Sequence, residues 1–155
     1  MHCPQHIKQS ISLQSFKVRC KKTILKFDDL IRITDLGRTR KVEIKFHKIQ
    51  CDLALRTDFN RHGFVDYHDP SCPCGFRDQT KIHYFLDCPL TAQAREQFNR
   101  GILDLEHELF NFTHFYRRNR KLKVDFMVYG DNTLPPGLNK TILNLTADFL
   151  DNILE

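Results

Sequence analysis

Apolar residues in this chain gather into a few short periodic stretches. Val42, Phe46, Ile49 and Leu53 recur at steps of 4, 3 and 4, the spacing that lines one face of an α-helix. Val42, Ile44 and Phe46 also alternate as in a strand, but the longer series favours a helix from about 41 to 61. Gly63 supplies its stop, since glycine readily takes the left-handed conformation that ends helices; residues 63–71 then read as a loop. A second helix is predicted over Thr91–Leu103, with Ala94, Phe98 and Ile102 inward, Leu105 beyond them and Gly101 weakening its end. A last helix runs from about Pro136 to Leu154. Ile142, Leu145, Phe149 and Ile153, at steps of 3, 4 and 4, form its predicted buried face, and Pro136 suits a first turn.

Other stretches are less regular. Glu106–Tyr116 is aromatic-rich and reads as core-packing helix or helix–turn. Val124–Val128 is a short apolar run compatible with strand or helix. Ile24–Ile33 is mixed, and residues 1–15 read as loose. The chain has 13 Phe and no Trp, so Phe must fill most large core positions.

Net charge is +5. Residues 1–50 hold 12 Lys and Arg against 4 Asp and Glu, a net +8; residues 51–155 hold 12 against 15, a net −3. A basic front half is the electrostatic footprint of a nucleic-acid partner, or simply a solvated arm. Arg117, Arg118, Arg120, Lys121 and Lys123 form a second basic cluster, suited to phosphate contacts or to a solvated loop. No apolar run is long enough to span a bilayer. The polar opening Met1–His6 predicts no secretory leader, so the three Asn-x-Thr sequons, at Asn111, Asn139 and Asn144, are expected to be unused. The expected location is intracellular, in nucleus or cytoplasm.

Six cysteines are present, at 3, 20, 51, 72, 74 and 88. A disulfide scaffold would be secreted and Cys-dense, and this chain looks neither. Three of the six lie close together: Cys72-x-Cys74, then eight residues, His83, then four residues, Cys88. Zinc takes four N or S ligands in a tetrahedron, and these four residues are the predicted ligands. Five residues on an α-helix turn through about 500°, which leaves His83 and Cys88 ~140° apart. The helix is therefore expected to end between them, and Pro89 restrains Cys88 away from helical geometry. His62, His68, Cys3 and His6 lie outside this frame. Arg77 and Lys81, inside the metal-closed loop, are the better placed phosphate-binding candidates.

The stretch Arg61-His-Gly-Phe64, Ser71-Cys-Pro-Cys-Gly-Phe76 and Lys81-Ile-His-Tyr-Phe-Leu-Asp-Cys-Pro-Leu90 resembles the cysteine/histidine segment that follows the polymerase domain of non-LTR retrotransposon reverse transcriptases. Phe126-Met-Val-Tyr-Gly-Asp-Asn132, Leu134-Pro-Pro136 and Asn139-Lys-Thr-Ile142 resemble that family's last segment, a Gly-containing turn before a final amphipathic helix. The likeness spans roughly residues 42–155, is most specific over 61–90, and does not extend to 1–41.

The resemblance implies a segment that helps seat RNA or DNA near a polymerase. The polymerase carboxylates themselves are not in this sequence: Tyr129-Gly-Asp-Asn132 lacks the paired Asp and reads as a turn. Lys123-Val-Asp125 echoes a nuclease site only faintly, with no acid-x-Lys after it. The expectation is a mainly α protein with an inserted Cys-Cys-His-Cys zinc knuckle over about 61–90. It comprises a basic, partly disordered segment 1–41 and a helical domain 42–155. Its expected function is zinc-dependent, non-catalytic nucleic-acid binding, weak and phosphate-driven. The alternatives are a zinc-stabilised interaction domain, partnering a reverse transcriptase polymerase domain, and a remnant reading frame without activity.

Overall fold

The computed structural model describes residues 33–64, 66, 68–105, 119–131 and 133–153. The expectations for residues 1–15, 24–32 and 106–116 lie outside these residues, as do Cys3, His6, Asn111, Arg117 and Arg118. The described chain is helical, with no strand among the described residues. After a short 3-10 turn at Ile33–Leu36 come α1 (Arg40–Gln50), α2 (Arg56–Arg61), α3 (Ala92–Leu105), α4 (Arg120–Tyr129) and α5 (Pro136–Asp151). No described helix is long and apolar enough to cross a membrane.

The single helix expected over 41–61 is two. The Asp52 N–H bonds to the Ile49 carbonyl at 3.3 Å and the Leu53 N–H to the Lys48 carbonyl at 2.8 Å, the paired bonds of a Schellman ending. That ending needs a left-handed residue just past the cap, and Asp52 takes it at φ 55°. Helix α2 ends the same way at Gly63, φ 73°. There Gly63 bonds back to Asn60 and Phe64 to Phe59, and the Phe59 and Phe64 rings meet edge-on at 5.6 Å. The run Val124–Val128 resolves as helix, within α4. Asn119 caps that helix, its side chain accepting from the Leu122 N–H at 2.9 Å.

Helix α5 is the centre of the bundle and packs against α1, α3 and α4. With three neighbours it buries a broad face: Leu138, Asn139, Ile142, Leu143, Thr146, Ala147, Phe149 and Leu150. Ile142 and Phe149 lie inward as expected, whereas Leu145 and Ile153 are only half-buried. The buried face is broader than the four-residue stripe because several elements pack around α5. Gly101 does not end α3, which continues to Leu105; it sits where α3 meets Leu145 of α5. Ala94, Phe98 and Ile102 are buried as predicted.

The chain joins this core ahead of residue 42. Leu36 is buried, and Arg38 binds the Asn144 side chain at 2.9 Å and Asp148 at 2.7 Å. Buried Lys45 reaches Asp151 at 3.6 Å and faces the last carbonyls of α5, where a cation opposes the negative end of the helix dipole. Part of the basic front half therefore neutralises the acidic end of α5. Asn139 is buried, its Oδ1 accepting from the Asp131 N–H at 3.0 Å, so that sequon is a packing residue.

Candidate metal centre

Between α2 and α3 the chain forms the knuckle. Its first half is a tight turn: the Gly75 N–H bonds to the Cys72 carbonyl and the Cys72 N–H to the Phe76 carbonyl, each at 2.9 Å. Gly75 takes φ 91°, a conformation that a side chain would strain. Cys72 and Cys74 thus project from one closed turn. The second half starts as a helix capped by Thr80, whose hydroxyl accepts from the His83 N–H at 3.2 Å.

His83 and Cys88 are brought together by a device that α-helical periodicity does not contain. Residues His83–Asp87 form a π-turn, closed by the Cys88 N–H bonding to the His83 carbonyl at 2.7 Å. Closure at five residues widens the turn, so residues five apart come to one side. Regular α-helix ends at Ile82, ahead of both residues; the π-turn runs on to Asp87, so the helical segment ends before Cys88, as expected. Tyr84 and Phe85 within it are buried. Phe85 stacks on Phe149 of α5 at 5.0 Å, and Tyr84 meets the same ring edge-on at 6.3 Å. The knuckle is thereby fastened to the central helix.

The four donor atoms of Cys72, Cys74, His83 and Cys88 lie within 4.8 Å of one another. Cys72 and Cys88 sulfurs are 3.7 Å apart, and the Cys74 sulfur is 3.2 Å from His83 Nε2. A tetrahedron of ~2.3 Å zinc–sulfur bonds has sulfur–sulfur edges of ~3.8 Å, so the set fits one metal ion such as zinc. The sulfurs are far beyond the ~2.05 Å of a disulfide. Burial pushes the Cys72 thiol up to about 11, and the neighbouring Cys74 and Cys88 thiols add to the rise against a backbone bond that lowers it. The Cys74 thiol is also raised by burial, but hydrogen bonds from the Phe76 backbone and the Cys72 and Cys88 thiols bring it below its ordinary value. Burial, and then negative charge on Cys88 and Cys72, raises the Tyr84 hydroxyl. A buried nest of thiolates is costly alone; a divalent cation removes that cost.

Sequence reasoning missed the residues that hold the ligands. The Thr91 hydroxyl lies 2.7 Å from the Tyr84 carbonyl and 3.0 Å from that of Cys88. Arg95 donates to the Cys88 carbonyl at 3.1 Å and to Thr91 at 3.2 Å. A Thr at the start of a predicted helix was the available signal. The His83 ring is buried, and its Nδ1 has no hydrogen-bond partner among the described residues. The Phe76 ring lies parallel to it, 4.3 Å away and tilted by 6°. Stacking therefore orients this imidazole, where metal-binding histidines usually rely on a hydrogen bond.

The basic candidates divide. The Arg77 side chain is 92% exposed, with Asp78 3.6 Å away. Lys81, the other residue expected to meet phosphate, is largely buried and pairs with Asp52 at 2.5 Å, its ammonium 5.8 Å from the centre of the Tyr129 ring. Burial would lower its pKa, but Asp52 and its neighbours raise it overall. Lys81 is thus a strut between the knuckle, the α1–α2 junction and α4. Arg120, Lys121 and Lys123 lie in the first turn of α4, and Arg120 pairs with Asp87 of the π-turn. His62 and His68 stay outside the ligand set, and Tyr129 ends α4, with Gly130 as its cap at φ 72°. Compared with family models, curated proteins and solved structures, the chain finds no match.

Proposed function

We propose that this chain is a zinc-held nucleic-acid-binding module, related to the region after the polymerase domain of non-LTR retrotransposon reverse transcriptases and inert as a catalyst by itself. The observation that carries the reading is the convergence of three thiols and one imidazole within 4.8 Å. That cluster closes a loop whose outermost charge is Arg77. A cation held on a rigid loop loses little freedom on binding phosphate. Lys121 and Lys123 on α4 and the net charge of +5 add attraction. The partner is RNA or DNA, bound weakly and mainly through its backbone. The test is fluorescence anisotropy of labelled oligonucleotides across a salt series, with and without zinc. Affinity should fall steeply with salt and should drop when zinc is removed.

A second reading has its own support. Arg38, Lys45 and Lys81 hold Asp148, Asp151 and Asp52, so much of the basic character works inside the fold. Zinc would then be a structural staple in an interaction domain whose partner is a polymerase domain. Oligonucleotide affinity indifferent to zinc and to Arg77 would favour it.

A further inference from the structure

We propose that Phe76 and Arg77 form a platform for one unpaired nucleobase and its phosphate, so that the knuckle selects single strands over duplex. This rests on the nucleic-acid-binding reading above and adds the form of ligand.

Phe76 is 53% exposed, whereas Phe46, Phe85, Phe98 and Phe149 are fully buried. A large apolar ring left in water on a short loop is the exception among the described phenylalanines. The ring is also fixed. One of its faces covers the imidazole of His83, and His83 is held by the Thr80 cap and by the ligand cluster. Its carbonyl closes the knuckle turn by accepting from Cys72. Little side-chain freedom is left to lose when a second flat ring stacks on it. Every nucleobase has such a π-face, and aromatic platforms bind single strands with little regard to sequence. In a duplex those faces are occupied by neighbouring base pairs. The next residue, Arg77, is almost wholly exposed and can reach the phosphate that follows a stacked base. A basic residue beside a fixed aromatic is the pairing that single-strand binders use, and it has no counterpart at Leu90, Leu103 or Leu122, the other exposed apolar positions of the knuckle, α3 and α4.

The experiment uses the full chain loaded with zinc and two probes. One is a labelled oligothymidylate of about a dozen nucleotides; the other is the same strand annealed to its complement. The single strand should bind at least about tenfold more tightly at equal salt. Phe76→Ala should lower that affinity by about tenfold, leave the salt slope unchanged and leave duplex binding unchanged. Phe76→Leu keeps a cover over His83 without a π-face and should fail in the same way, while Phe76→Tyr should retain binding. Zinc content of each variant is measured alongside, and only variants with a full complement are compared. If zinc-loaded Phe76→Leu binds the single strand as wild type while Arg77→Gln weakens it, the platform is wrong and phosphate binding stands. If neither oligonucleotide binds at any salt, the binding reading itself falls and the platform with it.

Discussion

Leu145 of α5 lies against Gly101 of α3 with no space for a β-carbon: one built on Gly101 would fall 2.5 Å from Leu145 Cδ2 and 2.9 Å from Cδ1. Gly101 is not left-handed, so its role is the close approach of two helices. Ala would gain ~1 kcal/mol in helix propensity, but forcing Leu145 aside costs ~1–3 kcal/mol. Gly101→Ala should therefore destabilise the zinc-loaded protein by about 1 kcal/mol in urea unfolding. With Leu145→Ala beneath it the clash disappears, and the same substitution should become stabilising. A double-mutant cycle measures that change of sign; strict additivity would mean that the two residues do not interact.

How much of this was legible follows from which residues carry their meaning locally. Gly63 announced a helix end because glycine is the usual left-handed residue. Asp52 does the same work at φ 55° without being glycine, so α1 and α2 read as one helix. The grouping of Cys72, Cys74, His83 and Cys88, able to hold a metal ion, was legible from residue type and spacing. The π-turn joining His83 to Cys88 was not, because it depends on a five-residue closure that ordinary helical periodicity excludes. Ile142 and Phe149 were visible as a stripe. The further burial of Leu138, Leu143 and Leu150 comes from α5 having three neighbours, which is a property of the assembly. Lys81 read as a surface cation since nothing nearby in sequence reveals Asp52 as its partner.

Metal removal gives the second test. One zinc per chain is expected, and cobalt in its place should show sulfur-to-metal charge transfer consistent with three thiolates. Cys74→Ser should lower metal affinity. Hydrogen exchange should then accelerate at the Cys72, Gly75 and Cys88 amides, which close the knuckle. Amides in the middle of α5, held by α1, α3 and α4, should remain protected. Equal loss of protection in both regions would mean that the bundle does not form without the metal.

Arg77 and Lys81, both phosphate-binding candidates by sequence, should separate in a salt titration. Arg77→Gln should flatten the slope of log affinity against log salt by ~0.7–0.9, the release expected for one phosphate contact. Lys81→Gln should leave the slope unaltered and instead lower stability by about 1 kcal/mol, since it takes a partner from half-exposed Asp52. If Lys81→Gln flattens the slope as much as Arg77→Gln, the pair with Asp52 opens on binding and Lys81 is a contact after all.

The last test concerns Asp58, the buried carboxylate beneath that strut. Burial raises its pKa above the ordinary 3.8, and the charge of Asp52 adds to the rise. Lys81, the Leu55 N–H at 3.3 Å and Arg61 at 3.2 Å act in the other direction without cancelling it. An acid whose folded pKa is raised keeps its proton longer in the native state than in the unfolded one. Between 3.8 and the folded value the native state holds more protons, so this group's contribution to stability falls as pH rises and levels off above the folded pKa. Zinc binding has the opposite pH dependence, because its thiolates must lose protons, and total stability would mask the effect. The quantity to measure is the difference between wild type and Asp58→Asn, both zinc-loaded, from about pH 4 to about pH 7, where the metal contribution cancels. Asn keeps an acceptor for the Leu55 N–H and carries no charge. The variant should gain relative to wild type as pH rises. A relative loss over the same range would mean that Arg61 and Lys81 outweigh burial, and that Asp58 is held in the fold as a stabilised anion.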